Sequence, residues 1–136
     1  MRLYRIYILP VLLYGCETWT ITKTISKRLD ALDTWCLQKI PRMPYTRHTT
    51  NETVRDVTSC SPVSEVVRSH HLRFFGHLAR TVPAEDHHRI VAAVLHPPAD
   101  WRRPAGRPRT TWLRTVDEDV QPQNFEVHTA GRKAKD

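Results

Sequence analysis

A chain of 136 residues, 40% of them apolar, fits one domain or part of a larger one and allows only a modest core. Three cysteines, an odd number with no C-x-x-C pair, exclude a disulfide framework and fit a reducing compartment. A formal charge of +7, with eight histidines besides, favours polyanionic partners, nucleic acid first, although basic charge can serve solubility alone.

Arg2 and Arg5 ahead of an apolar run give the start, MRLYRIYILPVLLYGCETW, the look of a signal peptide. Leu13-Tyr14-Gly15-Cys16 is close to a lipoprotein cleavage box, but Tyr14 is bulky for its place there. The run is too short to span a bilayer and Pro10 interrupts it. Residues 2–14 are therefore expected as a buried core segment, helical, with Pro10 able to begin a new turn.

Over residues 24–40, Ile25, Leu29, Leu32, Cys36 and Ile40 recur at helical spacing, with Trp35 widening their face. Thr24 is the expected N-cap, and Pro41 and Pro44 stop the helix. After a polar connector, Thr49 and Glu52 form a capping-box pattern before Val54 and Val57 of a short helix.

Ser61 and Pro62 are expected as N-cap and first residue of a long helix through Thr81. Its predicted core stripe is Val63, Val67, His70, Phe74 and Leu78, with Val66 and Phe75 on the borders and Arg73, His77 and Arg80 on one flank. Gly76 inside it costs about 1 kcal/mol against Ala, so close approach of another backbone is expected there. Residues 85–95 form a further predicted helix, ended by Pro97 and Pro98.

The basic segment WRRPAGRPRTTW then leads to Thr110 or Thr111, either able to cap a helix that turns Trp112, Leu113 and Val116 inward. Asp117, Glu118 and Asp119 sit badly at its C-terminal end, where the helix dipole disfavours acids. The expected fold is all-α, a small irregular bundle of about four to five helices, without repeats or low-complexity tracts. Its divisions are a helical region at 1–96, a basic connector at 97–111, a short helix at 112–120 and a disordered tail at 121–136.

Catalytic patterns are absent from the sequence. No two histidines stand at the i, i+4 spacing of a helical zinc site with a nearby Glu or Cys. Nothing local supports Cys36 or Cys60 as a nucleophile paired with a distant histidine. Glu85-Asp86 before His87-His88 reads as the acidic first turn of a helix. No phosphate-binding glycine loop, dinucleotide fingerprint or paired polymerase carboxylates occur. No catalytic residue, metal ligand or cofactor is therefore expected.

Binding has better support. Arg102, Arg103, Arg107, Arg109 and Arg114 cluster between and beside Trp101 and Trp112, and guanidinium groups pair with phosphates and stack on bases. Gly106-Arg107-Pro108 resembles an AT-hook core, except that Ala105 stands where the hook has arginine. The alternative is an exposed connector that anchors Trp112 in a core.

Four stretches carry a larger resemblance: VLLYGCETWT at 11–20, KRLDALDTWCLQKIPRMPYTRHTTNETV at 27–54, RSHHLRFFGHLAR at 68–80 and GRPRTTWLRTV at 106–116. In this order they resemble the thumb and post-palm region near the C-terminus of non-LTR (LINE-type) retrotransposon reverse transcriptases. That family's polyprotein joins an endonuclease to a reverse transcriptase and copies element RNA at a nicked chromosomal site.

The resemblance implies a helical part that holds the template–primer duplex. Arg73, Arg80, Arg102, Arg103, Arg107, Arg109 and Arg114 would touch phosphate and 2′-hydroxyl groups of RNA or RNA/DNA hybrid without reading sequence. The basic segment then reads as a proline-stiffened connector, with Tyr14, Trp19, Trp35, Phe74, Phe75 and Trp112 as core. The family's palm with its metal-binding aspartates, its fingers and its endonuclease have no counterpart here.

The expectation is thus a non-catalytic fragment, nuclear or cytoplasmic, neither secreted nor membrane-bound, that would have packed on a palm domain. The competing expectation is a remnant of a decayed element that is unstable in isolation.

Overall fold

The structure is a computed structural model that describes residues 1–44, 49–82, 84–102, 105–106, 110–123 and 129–130. Among the described residues the chain is all-α, with no strand. A π-helical turn, Tyr4–Ile8, runs into the short α1, Leu9–Leu12, and a 3-10 turn follows at Cys16–Thr18. Then come α2 (Lys23–Lys39), α3 (Asn51–Thr58), α4 (Val63–Arg80), α5 (Asp86–Leu95) and α6 (Trp112–Val120), with a closing 3-10 turn at Gln121–Gln123. None of the described helices is long and apolar enough to cross a membrane.

Two compact units divide the chain, 1–70 and 71–136, and the division falls inside α4. In the first unit one apolar cluster joins Leu13, Cys16, Val63 and Val67, with Leu9, Trp19, Ile21, Leu29 and Val66 packed on it. A second joins Tyr4, Leu37 and Val54. In the second unit Phe75, Val116 and Val120 form the core, covered by Leu72, Leu95, Trp112 and Leu113. The Phe74 ring meets Trp112 edge-on, with centroids 5.7 Å apart.

The starts of α2, α3 and α6 carry hydroxyl caps, two of them displaced from expectation. Thr22, not Thr24, caps α2 by accepting from the Ile25 amide. Thr50, not Thr49, caps α3 through the Thr53 amide. Thr111 caps α6 through the Arg114 amide, one of the two threonines proposed for that role. Gly15 sits at φ +68 between α1 and the 3-10 turn, a left-handed conformation that costs other L-residues roughly 1–2 kcal/mol. It turns the chain so that Cys16 enters the core.

Three expectations about burial are overturned. The N-terminal run is helical but mostly uncovered: Tyr4 and Leu13 are buried, whereas Leu3, Ile6, Tyr7, Val11 and Tyr14 are exposed, Tyr14 at 87%. A run apolar on every side carries no sign of which side will be covered, and here the polar partner of Tyr4 decides it.

The buried side of α2 is Asp33, Thr34 and Leu37, while Ile25, Leu32, Trp35 and Ile40 are exposed. The helix is turned by about one residue (100°) from its apolar stripe, because the charges on the covered side have partners. In α4 the buried residues are Val63, Val67, His71, Phe75 and Leu78, so His71 and Phe75 replace His70 and Phe74 in the stripe.

The covered polar groups explain these rotations. Asp33, 1% exposed, accepts from the Tyr4 hydroxyl and, at 2.8 Å, from Arg55 Nη1, which ties the N-terminal helix, α2 and α3 together. Arg55 also donates to Thr34 Oγ1 at 3.2 Å. Thr34 and Thr58 return their hydroxyls to carbonyls one turn back, Asp30 and Val54, and so enter the interior satisfied. Asp30 accepts from the Ser64 amide and hydroxyl at 3.0 and 2.7 Å, a carboxylate at the N-terminus of α4, where the helix dipole favours it. Arg5 places its guanidinium on the Thr58 and Ser59 carbonyls at the C-terminus of α3, again with the favourable sign.

Candidate nucleic-acid interface

The burial of one side of α4 fixes what its other side presents. With His71, Phe75 and Leu78 covered, Arg73, His77 and Arg80 all stand exposed, four and three residues apart. This is the flank expected from sequence. At 1.5 Å rise per residue, Arg73 and Arg80 are about 10 Å apart along the helix, two turns on nearly the same side.

Gly76 serves this side and not a backbone contact. A Cβ added there would meet Arg80 Nη1 at 3.3 Å, so the Arg80 guanidinium lies back over the glycine. The expected close approach of another backbone at Gly76 is thus corrected: the approaching group is a side chain four residues on. Arg73, His77 and Arg80 thus share two turns of helix, with the Arg80 guanidinium seated over Gly76.

The other arginines of the second unit stand differently. Arg102 is exposed beside the exposed Trp101, whose amide donates to the Pro98 carbonyl at 3.0 Å and bends the chain after α5. Arg114 is exposed on the first turn of α6 and pairs with Glu118 at 3.4 Å. Such exposed i, i+4 pairs are worth a few tenths of a kcal/mol, so Arg114 can exchange Glu118 for a phosphate at little cost. Arg103, Arg107 and Arg109, as well as most of the tail from 121, lie outside the described residues. Of the tryptophans, Trp112 and Trp19 are partly covered by core, as expected, whereas Trp35 is exposed, with the Lys39 ammonium 5.9 Å from its ring centre.

The acids at the end of α6 have a purpose that their sequence position conceals. Asp119 accepts from or pairs with the buried His71 at 2.8 Å, and Glu118 holds Arg114. His71 lies 48 residues away in sequence, and no local spacing announces the pair.

A further polar cluster lies in the first unit. Cys16 Sγ is 3.3 Å from His70 Nδ1, and the Glu17 carboxylate joins them with all three ligand-type atoms within 4.8 Å of one another. Burial first, and then the neighbouring Glu17 charge, push the Cys16 thiol above its ordinary range. Burial likewise raises the Cys36 thiol, with Asp33 adding to the shift. None of the three cysteines is in a disulfide.

Comparison with family models, with curated proteins and with solved structures returns no match for this chain.

Proposed function

We propose that this chain is related to the thumb and post-palm region of non-LTR retrotransposon reverse transcriptases and that it holds nucleic-acid backbone without catalysing a reaction. The observation that carries this reading is the exposed Arg73–His77–Arg80 side of α4, opposite a covered apolar side. A rigid helix that offers two guanidinium groups about two turns apart suits phosphate contact, which positions a duplex without reading its bases. The net charge of +7 and the exposed Arg102 and Arg114 add to the attraction. Arg103, Arg107 and Arg109 are proposed to contribute further contacts from the basic connector. RNA and RNA/DNA hybrid are the proposed ligands, in the nucleus or cytoplasm, with no membrane role.

The test is fluorescence anisotropy of a labelled duplex titrated with the full chain at several salt concentrations. If about five phosphates are neutralised, log affinity falls with log salt at a slope of roughly −4 to −5 on B-form DNA. Hybrid and RNA duplexes are compared at one salt concentration. Primer extension with magnesium, RNA template and DNA primer is expected to give background only.

One observation favours a second reading, a remnant that is unstable alone. Leu3, Ile6, Tyr7 and Val11 recur at helical spacing and are exposed by 58–79%, an apolar side suited to burial against another domain. In the family resembled, that domain would be the palm. A purified chain that melts without a cooperative transition supports the remnant; a cooperative transition counts against it.

A further inference from the structure

The geometry points to a metal site made by Cys16, Glu17 and His70, which takes a zinc-class divalent cation and clips the 3-10 turn to α4. The three residues supply a thiolate, a carboxylate and an imidazole, the donor set that zinc accepts readily. Tetrahedral zinc holds sulfur at about 2.3 Å and imidazole nitrogen at 2.0–2.1 Å, which places those two ligand atoms roughly 3.5 Å apart. Cys16 Sγ and His70 Nδ1 are 3.3 Å apart, and the Glu17 carboxylate is within 4.8 Å of both, so small side-chain rotations close the set around one ion. A water completes the fourth position, as in zinc sites with three protein ligands.

The backbone holds this arrangement in place from two directions. Gly15 in its left-handed conformation presents Cys16 and Glu17 on consecutive residues of the 3-10 turn. Cys16 is fully buried within the cluster formed with Val63 and Val67, and this cluster brings in the α4 turn that carries His70. Glu17 and His70 are only half-buried, which gives an ion a way in. Binding displaces the thiol proton to solvent and involves no redox change. The ligands are 53 residues apart in sequence (17 to 70), so one ion would cross-link most of the first unit.

The test uses the full chain, reduced with a phosphine, stripped with a chelator and titrated with cobalt(II). Wild type is expected to develop a thiolate-to-cobalt charge-transfer band in the near ultraviolet, together with intense visible bands of tetrahedral cobalt, both saturating at one equivalent and bleached by zinc. Cys16→Ser removes the charge-transfer band, whereas Cys36→Ser and Cys60→Ser keep it. His70→Gln and Glu17→Gln each weaken cobalt binding at least about tenfold. Surface histidines can bind cobalt as well but give no thiolate band, which separates them from this site.

A wild-type spectrum without that band overturns the proposal. So does a band that survives in Cys16→Ser or vanishes in Cys36→Ser or Cys60→Ser. If Cys16→Ser fails to fold by circular dichroism, the Glu17→Gln and His70→Gln variants decide, and unchanged affinity in both overturns the site.

Discussion

Replacing Asp33 with alanine probes the interior of the first unit most directly. The carboxylate is 1% exposed and serves two donors, the Tyr4 hydroxyl and Arg55 Nη1, the latter at 2.8 Å. Its removal leaves a guanidinium whose side chain is only 16% exposed and a fully covered phenol. Breaking one side of a buried ion pair costs about 3–5 kcal/mol, because the remaining charge stays desolvated. Arg55 keeps its bond to Thr34 Oγ1 and has some access to water, which favours the lower end, near 3 kcal/mol. The orphaned tyrosine adds about 1 kcal/mol, so Asp33→Ala should cost about 4 kcal/mol in all. That is a large fraction of the roughly 5–15 kcal/mol that holds an ordinary domain together.

Urea denaturation followed by far-ultraviolet circular dichroism reads the cost as a fall in midpoint at constant slope. Replacing both ends with apolar residues of similar size, Asp33→Leu with Arg55→Met, should recover most of the loss, since no charge is then left unpaired. A cost under about 1 kcal/mol for Asp33→Ala would refute the reasoning, as it would mean that the pair is solvated. A double variant no more stable than the single one would refute it as well.

Two more predictions concern covered residues, one in each unit. Phe75, 4% exposed, should cost about 3–5 kcal/mol as alanine, whereas half-buried Phe74, whose contact with Trp112 is edge-on, should cost about 1–2 kcal/mol. Thermal denaturation of the two variants checks the order, and the reverse order would restore the stripe expected from sequence. Burial, followed by the hydrogen bond and charge of Asp33, holds the Tyr4 phenol well above its ordinary range, so the folded chain keeps a proton that the unfolded chain releases above about pH 10. This contribution is fully present below that pH and is lost as pH rises, by up to about 1.4 kcal/mol per pH unit. The raised Cys16 and Cys36 thiols begin a similar loss near pH 9, and it persists in Tyr4→Phe. In alkaline titrations of stability, Tyr4→Phe should therefore lack only the steeper part above pH 10; an unchanged profile contradicts the assignment.

Local signals in the sequence carry the helices well and their orientation less well. Prolines at 41, 62 and 97 bound α2, α4 and α5 because a missing amide and a fixed φ act within a turn. Neighbouring threonines compete for each cap with similar chemistry, which is why Thr22 and Thr50 displaced Thr24 and Thr49. The covered sides of α2 and α4 depended on partners distant in sequence. Asp33 is buried because Tyr4 and Arg55 meet it, and His71 because Asp119 does. Hydrophobic periodicity assigns such residues to solvent.

The exposed arginines of α4 were legible, since a flank of charge beside an apolar stripe survives a one-residue error in the stripe. The Cys16–Glu17–His70 cluster was hidden, because metal-site spacing is sought within one segment and these ligands come from two.

The proposed role of the α4 flank comes down to a difference between two salt slopes. Duplex binding is measured across salt concentration for wild type and for Arg73→Ala/Arg80→Ala. Both residues are exposed, so the double variant should keep the wild-type circular dichroism spectrum and melting profile. The account predicts weaker binding and a log–log slope shallower by about 2, near one for each phosphate contact removed. Equal slopes in the two proteins, or no binding by wild type at low salt, would contradict it.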